Sequence, residues 1–165
     1  GASFSKFLAF RKILENDFSR KVIGFDDFGS FTKKGDKEDK KFAVDFFKEF
    51  GKGINNKELE KILTSNNYEN FQLIKGDIVK TLPTFLKKNK QLKISLLHLD
   101  LDIYRPTIFV LKTLFDKVVK DGIILIDDYA EIFGATKAVD LFFKNKQIII
   151  KKLSFYKRPS FIIKK

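Results

Sequence analysis

The chain lacks several residue types, and each absence removes a class of function. It contains no Cys, Met or Trp, and it has three Pro and one His among its 165 residues. Without Cys, no disulfide, zinc thiolate or thiol nucleophile can form, and a reducing, cytoplasmic location fits. No apolar run approaches the roughly 20 residues that a membrane-spanning helix needs, so we expect no membrane span. The opening GASFSKFLAF has no basic region before an apolar one, as a secretory signal would.

The chain carries a strong excess of positive charge. Its 33 Lys and Arg against 21 Asp and Glu give a net charge of +12. Such an excess is typical of proteins that bind nucleic acid or acidic ligands, but it also arises when Lys is spread over solvated helix faces. Lys is abundant along the whole chain, together with Phe, Ile and Asn, which indicates a global compositional bias. We therefore expect no nucleic-acid partner.

Short apolar runs alternate with amphipathic stretches, the pattern of βαβ units with a mostly parallel sheet. This pattern predicts strands at 21–28, 70–76, 93–100 and 123–127, and helices at 3–15, 42–50, 56–65, 77–89, 105–122 and 135–144. The nearly continuous apolar run at 93–100 is typical of a strand buried on both faces. A charged run at 32–41 predicts a surface loop, and 147–165 predicts an antiparallel hairpin at the sheet edge. We expect a single α/β domain covering residues 1–165.

Two acidic pairs follow two neighbouring strands of the predicted sheet. Asp100 and Asp102 follow one strand, and Asp127 and Asp128 follow the next. In an open parallel sheet, ligands bind outside the carboxyl ends of the strands, which lie about 4.8 Å apart. Carboxylates brought so close raise one another's pKa unless a cation neutralises them, and Mg²⁺ prefers such oxygen ligands. The pattern therefore predicts a metal site, although Asp102 alone is also consistent with a helix N-cap.

A second group of acidic residues follows the first two predicted strands. Asp26 or Asp27, in IGFDDF, is placed to accept hydrogen bonds from ribose hydroxyls, but acid at a strand end is also an ordinary turn residue. Asp77, in KGDIVKTLP, follows the next strand and is suited to lining a nucleoside pocket.

Taken together, these motifs resemble one known family. GFDDF, KGDIVKTLP, LLHLDLDIYRPT, DGIILIDDYA and ATKAVDLFF occur in the order and spacing of the macrocin O-methyltransferase (TylF/MycF-like) family. The resemblance covers about residues 21 to 145. It implies a Rossmann-like class I methyltransferase fold, S-adenosylmethionine as the methyl donor, Mg²⁺ as a cofactor and a sugar hydroxyl as the acceptor.

The resemblance also implies roles for individual residues. Asp100, Asp127 and Asp128 would be the metal ligands. Asp26 would hold the ribose of the methyl donor, and Ser3 and Asp77 would complete the cofactor site.

The chain departs from the family at its beginning. The family's first strand and its glycine-rich turn should precede residue 4, and they are absent. The opening Gly1-Ala2-Ser3 resembles the end of that turn, and the alternative is a remnant of cloning. We therefore expect an N-terminally truncated domain that lacks the first strand of its sheet.

The motifs leave the catalytic base open. His98 lies on the same side of its strand as Asp100 by alternation, and we interpret it as a buried strand residue rather than a base. Catechol-type methyltransferases carry a Lys three residues after the first metal aspartate, where this chain has Ile103. Asp100 or Asp102 then becomes the candidate base.

The predicted function is methyl transfer from S-adenosylmethionine to a hydroxyl of a small-molecule or glycan acceptor, by an enzyme that is a possible homo-oligomer. Tyr104 and Tyr129 directly follow the acidic stretches and suit either the wall of an acceptor pocket or packing at a helix start. One alternative function is another metal-dependent α/β enzyme, such as a phosphatase or glycosyltransferase. Another is a non-catalytic basic binding module.

Overall fold

A computed structural model describes residues 1–28 and 53–165 of the chain, with Val44 and Lys48 between them. These two residues are helical, and the rest of the predicted helix 42–50 and of the predicted loop 32–41 lies outside the described residues. The chain divides into two compact units. The first ends at Thr84, and the second continues from Phe85 to the end of the chain. The expectation of one domain across the whole chain stays a prediction.

Helices and strands alternate along the described residues, as predicted for an α/β chain. The helices there are α1 (Ala2–Leu14), α2 (Asn56–Ser65), α3 (Ile78–Lys88), α4 (Tyr104–Leu114) and α5 (Phe133–Phe143), with a 3₁₀ turn at Phe115–Lys117. The strands are β1 (Val22–Asp26), β2 (Phe71–Lys75), β3 (Ile94–Leu99), β4 (Val118–Ile126) and β5 (Ser160–Ile163). No helix among the described residues is long and apolar enough to cross a membrane.

The first unit is built on a parallel pair of strands, β1 and β2, in which Val22 lies opposite Phe71. Helix α1 lies so close to β1 that a Cβ atom at Gly24 would lie 2.8 Å from the ring of Phe4. A larger residue at Gly24 would therefore require the Phe4 ring to shift. Four buried apolar side chains of this unit form a cluster: Leu8, Phe28, Leu59 and Leu63.

Side-chain caps begin the two helices on either side of β2. Asn55 is the N-cap of α2, where its side chain accepts the backbone N–H of Glu58 at 2.9 Å. The Oδ1 atom of Asp77 accepts the backbone N–H of Val79 at 3.0 Å, directly before α3. Pro83 lies inside α3 and does not end it. Both helices therefore begin where the sequence predicted.

The second unit contains a three-stranded sheet in the order β3-β4-β5. Strands β3 and β4 are parallel, with Leu99 opposite Ile126 near their carboxyl ends. Strand β5 is antiparallel to β4 and starts with Ser160 opposite Ile126, so β5 begins where β4 ends. Leu97 and Leu99 are buried, but Leu96 is 41% exposed. The expectation that β3 is buried on both faces is therefore wrong, because only the Leu97 and Leu99 face joins the core.

Helix α4 is shorter than the predicted helix 105–122. It ends at Leu114, and β4 already starts at Val118 after the 3₁₀ turn. The register between β3 and β4 shifts after Val118, and Asp121 adopts a left-handed backbone with φ of 62°. The apolar residues near Val118 continue the helical period in the sequence, but this irregularity places them in the strand. Gly122, the last residue of the predicted helix, is part of the same irregularity.

The predicted C-terminal antiparallel strand is confirmed as β5, but its hairpin partner is reduced to a single bridge. Lys151 pairs with Phe161, while residues 147–150 form no strand. Every side chain from 151 to 158 is exposed. These residues therefore gain little from burial that would stabilise a second strand paired with β5.

Arg11 is a buried charge that connects α1 to the loops before β1 and β2. Its guanidinium donates to the backbone carbonyls of Arg20, Glu69 and Asn70 at 2.6 to 2.9 Å. It also donates to a carboxylate oxygen of Asp17 at 2.7 Å, and this hydrogen bond lowers the pKa of Asp17. All of these groups belong to the first unit, so Arg11 fixes its helix relative to the amino ends of its strands.

We predict that Arg11→Met lowers the free energy of unfolding by about 3 kcal/mol, because it leaves a carboxylate and several carbonyls without their donor. Urea denaturation followed by circular dichroism measures the change. The matched control is Arg20→Met, which removes an ion pair with Glu15. The Arg20 side chain is 60% exposed in that pair. That variant should lose less than about 1 kcal/mol. Equal losses in the two variants would contradict the role assigned to Arg11.

Candidate functional site

The carboxyl ends of β3 and β4 meet at one edge of the three-stranded sheet. Their parallel ladder ends with a hydrogen bond from the backbone N–H of Asp127 to the carbonyl of Leu99 at 3.0 Å. The chain continues from Leu99 into Asp100 and from Asp127 into Asp128. This hydrogen bond therefore brings the acidic residues that follow the two strands to one place.

Asp100, Asp127 and Asp128 form a compact cluster, here called the acidic triad. One carboxylate oxygen from each residue lies within 4.8 Å of the others. Asp128 is buried, Asp127 is half-buried and Asp100 is exposed. The triad is therefore open to solvent on the Asp100 side. The structure brings the three predicted metal ligands together, and their binding of a metal stays a prediction.

Asp128 is the buried member of the acidic triad, with an exposed fraction of 3%. Its Oδ2 atom accepts the backbone N–H of Asp102 at 3.0 Å. Burial raises the pKa of Asp128 to about 6, the N–H groups of Asp102 and Leu101 lower it, and the charges of Asp100 and Asp127 raise it. Burial and repulsion therefore outweigh the hydrogen bonds, and both disfavour the ionised form of Asp128.

Asp102 lies beside the acidic triad and is not the helix N-cap that the sequence left as an alternative. The N-cap of α4 is Ile103, which makes no side-chain cap. Asp102 has a left-handed φ of 59°, a conformation that Asp adopts more readily than most residues. Burial raises the pKa of Asp102 to about 7, with the charges of the triad raising it further and that of Arg158 lowering it. The turn thus adds a fourth carboxylate to the site and directs its backbone N–H toward Asp128.

The donor set of the acidic triad fits a hard divalent cation. An ion that binds oxygen at about 2.0–2.6 Å holds its ligand oxygens at most roughly 4–5 Å apart, and the triad's spacing stays within that limit. Three carboxylates favour Mg²⁺, Ca²⁺ or Mn²⁺, because softer metals prefer nitrogen and sulfur ligands. A bound cation would also offset the repulsion that raises the pKa of Asp128.

Three charged residues near the acidic triad were missed by the sequence analysis. Lys157 Nζ and Arg158 Nη2 lie 3.5 and 3.4 Å from the same atom, Oε2 of Glu131. Glu131 follows Asp128 by three residues, and Arg158 lies just before β5. The signal that could have found them is the direction of the last strand. An antiparallel strand begins at the edge where the parallel strands end, so the basic segment before it is returned to that edge.

Three other residues singled out in the sequence lie in the same unit. The hydroxyl of Tyr129 donates to Oδ1 of Asp140 at 2.9 Å, and Nζ of Lys137 lies 5.6 Å from the centroid of the Tyr104 ring. Both contacts are with α5, which favours packing at a helix over a role in an acceptor wall. His98 is a half-buried residue of β3.

The residues predicted to bind the methyl donor lie in the first unit. Asp26 ends β1, and its Oδ1 atom accepts the backbone N–H of Phe28 at 2.5 Å. Burial raises the pKa of Asp27, and the charges of Asp77 and Asp26 raise it as well. These carboxylates therefore lie near one another at the carboxyl ends of β1 and β2. Ser3 lies in the first turn of α1 and is half-buried. The roles of these residues in binding stay predictions.

Comparison with protein families gives one match over most of the chain. The family model for macrocin-O-methyltransferase (TylF) matches residues 14–155. That range includes the whole acidic triad. No curated protein sequence matches the chain significantly.

Several solved methyltransferase structures have a similar fold. The calicheamicin methyltransferase CalS11 superposes with a TM-score of 0.76 at 23% identity, covering 95% of this chain and 65% of its own. The O-methyltransferase NovP gives a TM-score of 0.76 at 22% identity, covering 95% of this chain and 66% of its own. An apo structure of CalS11, described as a TDP-rhamnose 3'-O-methyltransferase, gives 0.68 at 24% identity, covering 99% and 66%. These matches confirm the class I methyltransferase fold, and the chain spans 65% to 66% of the length of these neighbours.

We predict that the stability of the metal-free protein falls as the pH rises from about 4 to about 8. An Asp in an unfolded chain has a pKa of about 3.9, whereas the pKa of Asp128 is about 6 and that of Asp102 about 7 in the folded protein. Between these values the folded state binds more protons than the unfolded state, so stability decreases with rising pH. Thermal unfolding in a chelator should therefore give a lower Tm at about pH 8 than at about pH 5.

Two controls separate this effect from titration elsewhere in the protein. Asp102→Asn removes one of these two carboxyl groups of the site and should reduce the difference in Tm between the two pH values. Saturating Mg²⁺ should reduce it as well, since a cation bound by the folded state favours ionised carboxylates. A Tm of the chelated wild type that stays constant or rises with pH would contradict the assignment.

Proposed function

Because the chain belongs to the macrocin-O-methyltransferase (TylF) family, we propose that it transfers a methyl group from S-adenosylmethionine to a hydroxyl of a sugar or glycan acceptor, with help from a divalent metal. The observation that carries the proposal is the acidic triad at the ends of two neighbouring parallel strands, inside the range of the family match. The neighbour described as a TDP-rhamnose 3'-O-methyltransferase supports a sugar as the acceptor.

In this proposal the acidic triad holds Mg²⁺. Its members are positioned by the backbone, since the N–H of Asp127 is bonded to Leu99 and the carboxylate of Asp128 is bonded to the N–H of Asp102. Bound Mg²⁺ would supply the positive charge that lowers the pKa of the acceptor hydroxyl. The three carboxylates need no rearrangement of the sheet to act together.

The acceptor approaches the acidic triad from the Asp100 side, because that residue is exposed whereas Asp128 is buried. A carboxylate must take the proton of the acceptor hydroxyl as the oxygen forms its bond to the methyl carbon. We propose Asp100 or Asp102 for this role, as both carboxylates border the place where the acceptor arrives. The hydrogen bond from the Asp102 backbone to Asp128 keeps Asp102 next to the triad.

The methyl donor is assigned to residues of the first unit. Asp26 is proposed to accept the ribose hydroxyls, with Asp27 as the alternative, and Asp77 and Ser3 to contact the same cofactor. The support for this assignment is that the carboxylates of Asp26, Asp27 and Asp77 lie near one another, at the carboxyl ends of the parallel strands β1 and β2. S-adenosylmethionine would supply the electrophilic methyl group, whose bond to the sulfonium sulfur would break as the bond to the acceptor oxygen forms, with S-adenosylhomocysteine as the leaving group.

We predict that the wild-type chain binds Mg²⁺ or Mn²⁺ and that Asp127→Asn lowers the affinity at least about tenfold, because it removes one of three charged ligands. Isothermal titration calorimetry measures both affinities. The matched control is Asp121→Asn, an exposed position of β4 whose left-handed backbone Asn also tolerates. An Asp127→Asn isotherm identical to that of the wild type would contradict the metal site.

The same series tests the role of Asp102. Asp102→Asn keeps the acidic triad and should bind the cation, yet it should lose methyl transfer if Asp102 is the base. Retained transfer would assign the base to Asp100 instead. Chelation should stop transfer in the wild type, whereas a basic binding module would lose its ligand on addition of salt and ignore the chelator.

We further predict a preference for acceptors with two neighbouring hydroxyls. A cation held by three carboxylates keeps positions that adjacent oxygens of one acceptor can fill. The test is a methyl-transfer assay with labelled S-adenosylmethionine on matched sugars, one with vicinal hydroxyls and one with a single hydroxyl removed. The deoxy sugar should react at least about tenfold more slowly, equivalent to about 1.4 kcal/mol. Equal turnover of the two sugars would contradict this mode of binding.

A further inference from the structure

The segment before β5 presents an exposed group of aromatic and basic side chains. Phe155 is 81% exposed and Tyr156 is 63% exposed. The side chain of Lys157 is 82% exposed and that of Arg158 is 45% exposed. We call these four residues the FYKR segment. Two exposed rings next to two exposed cations are suited to a ligand that has both an aromatic part and a negative charge.

The two cations of the FYKR segment converge on a single oxygen atom. Lys157 Nζ and Arg158 Nη2 both point to Oε2 of Glu131, at 3.5 and 3.4 Å. Two donors around one anionic oxygen form the arrangement that a phosphate oxygen would meet. Glu131 therefore stands where the oxygen of a bound anion would be.

The ion pairs of Glu131 with Lys157 and Arg158 are weak enough for a phosphate to replace the carboxylate. The side chains of Lys157 and Arg158 are 82% and 45% exposed, whereas that of Glu131 is 17% exposed. Ion pairs with such exposed cations contribute little to stability, and the Arg158 contact is long and involves one oxygen. A phosphate offers several charged oxygens to the same donors and can engage Arg in the bidentate manner that a single distant oxygen does not. The pair is therefore preformed for an anion, which would compete with Glu131 and would meet the charge of Asp102, a carboxyl group that also interacts electrostatically with Arg158.

The position of this pair connects it to the acidic triad. Strand β5 starts with Ser160 opposite Ile126, the residue before Asp127. Arg158 lies two residues before Ser160, and Glu131 lies three residues after Asp128. Both members of the ion pair thus emerge from the edge of the sheet that carries the triad.

We infer that Lys157 and Arg158 bind a phosphate group of the acceptor, displacing Glu131, while the hydroxyl to be methylated lies at the acidic triad. This inference rests on the proposed function and narrows its acceptor to phosphate-bearing sugars. The phosphate can belong to a nucleoside diphosphate or to a simple sugar phosphate. The rings of Phe155 and Tyr156 provide a stacking surface for a base in the first case.

The experiment measures binding of three probes to the full chain in a chelator, so that no cation links the probe to the acidic triad. The probes are uridine diphosphate, inorganic pyrophosphate and neutral sucrose. The two phosphates should bind, and sucrose should bind at least tenfold more weakly. Arg158→Gln and Lys157→Gln should each weaken phosphate binding about tenfold, whereas Lys152→Gln, at an exposed position three residues before the FYKR segment, should leave it within twofold.

Glu131→Gln gives the sharper test, because it removes the competing carboxylate without removing a donor. It should strengthen phosphate binding severalfold. A purely structural pair would instead give no gain in Glu131→Gln and no loss in Arg158→Gln, and that result would overturn the inference. Equal losses in Lys152→Gln and Arg158→Gln would overturn it too, since they would indicate general attraction by a basic surface.

Comparison of the probes identifies the source of the phosphate. Tighter binding of uridine diphosphate than of pyrophosphate, abolished in Tyr156→Ala, would assign a nucleotide-linked sugar. Equal binding of the two would assign a sugar phosphate. Binding of polyuridylate at least a hundredfold tighter than of uridine diphosphate, with the same dependence on Arg158, would overturn the inference in favour of a nucleic-acid surface.

The inference and the proposed function can fail separately. Phosphate binding is measured without a methyl donor, so intact binding in a protein that transfers no methyl group to any sugar would reject the proposed function alone. Methyl transfer to a neutral sugar and its phosphate at equal rates, unchanged in Arg158→Gln, would reject this inference alone.

Discussion

The parallel pairing of β3 with β4 is the constraint on which the site depends. Its last hydrogen bond, from the N–H of Asp127 to the carbonyl of Leu99, sets the two strand ends side by side. Asp100, Asp127 and Asp128 are thereby held close together, because each of them lies within two residues of the end of its strand. The acidic triad is therefore a consequence of register, and a shift of one residue would turn its side chains to opposite faces of the sheet.

This arrangement places an electrostatic cost in the second unit, which a bound cation would remove. Burial and mutual repulsion raise the pKa values of Asp128 and Asp102. The backbone N–H of Asp102 offsets part of this cost through its bond to Asp128, and it does so from a left-handed conformation. Strained backbone conformations of this kind are concentrated at functional sites, and the left-handed Asp102 beside the acidic triad agrees with this tendency. The basic residues before β5 add charge of the opposite sign at the same edge.

The sequence predicted the elements that local patterns determine. The apolar runs placed β3 and the carboxyl end of β4, and that was sufficient to bring the acidic triad together, because parallel strands end at a common edge. The errors have a different origin. The helical period of α4 continues into Val118, and only the irregular pairing near Asp121 makes that residue part of a strand. The Glu131 and Arg158 contact joins positions 27 residues apart, and no local pattern encodes it. This contact depends on the antiparallel pairing of β5 with β4. The sequence instead predicts a hairpin within residues 147–165.

The central claim is that one divalent cation binds to all three residues of the acidic triad. The most direct test is a crystal structure of the full chain grown with Mn²⁺ and measured near the manganese absorption edge. The account predicts one anomalous peak at coordination distance, about 2.0–2.6 Å, from carboxylate oxygens of Asp100, Asp127 and Asp128. A peak that contacts none of these residues, or no peak in the presence of saturating Mn²⁺, would contradict the account.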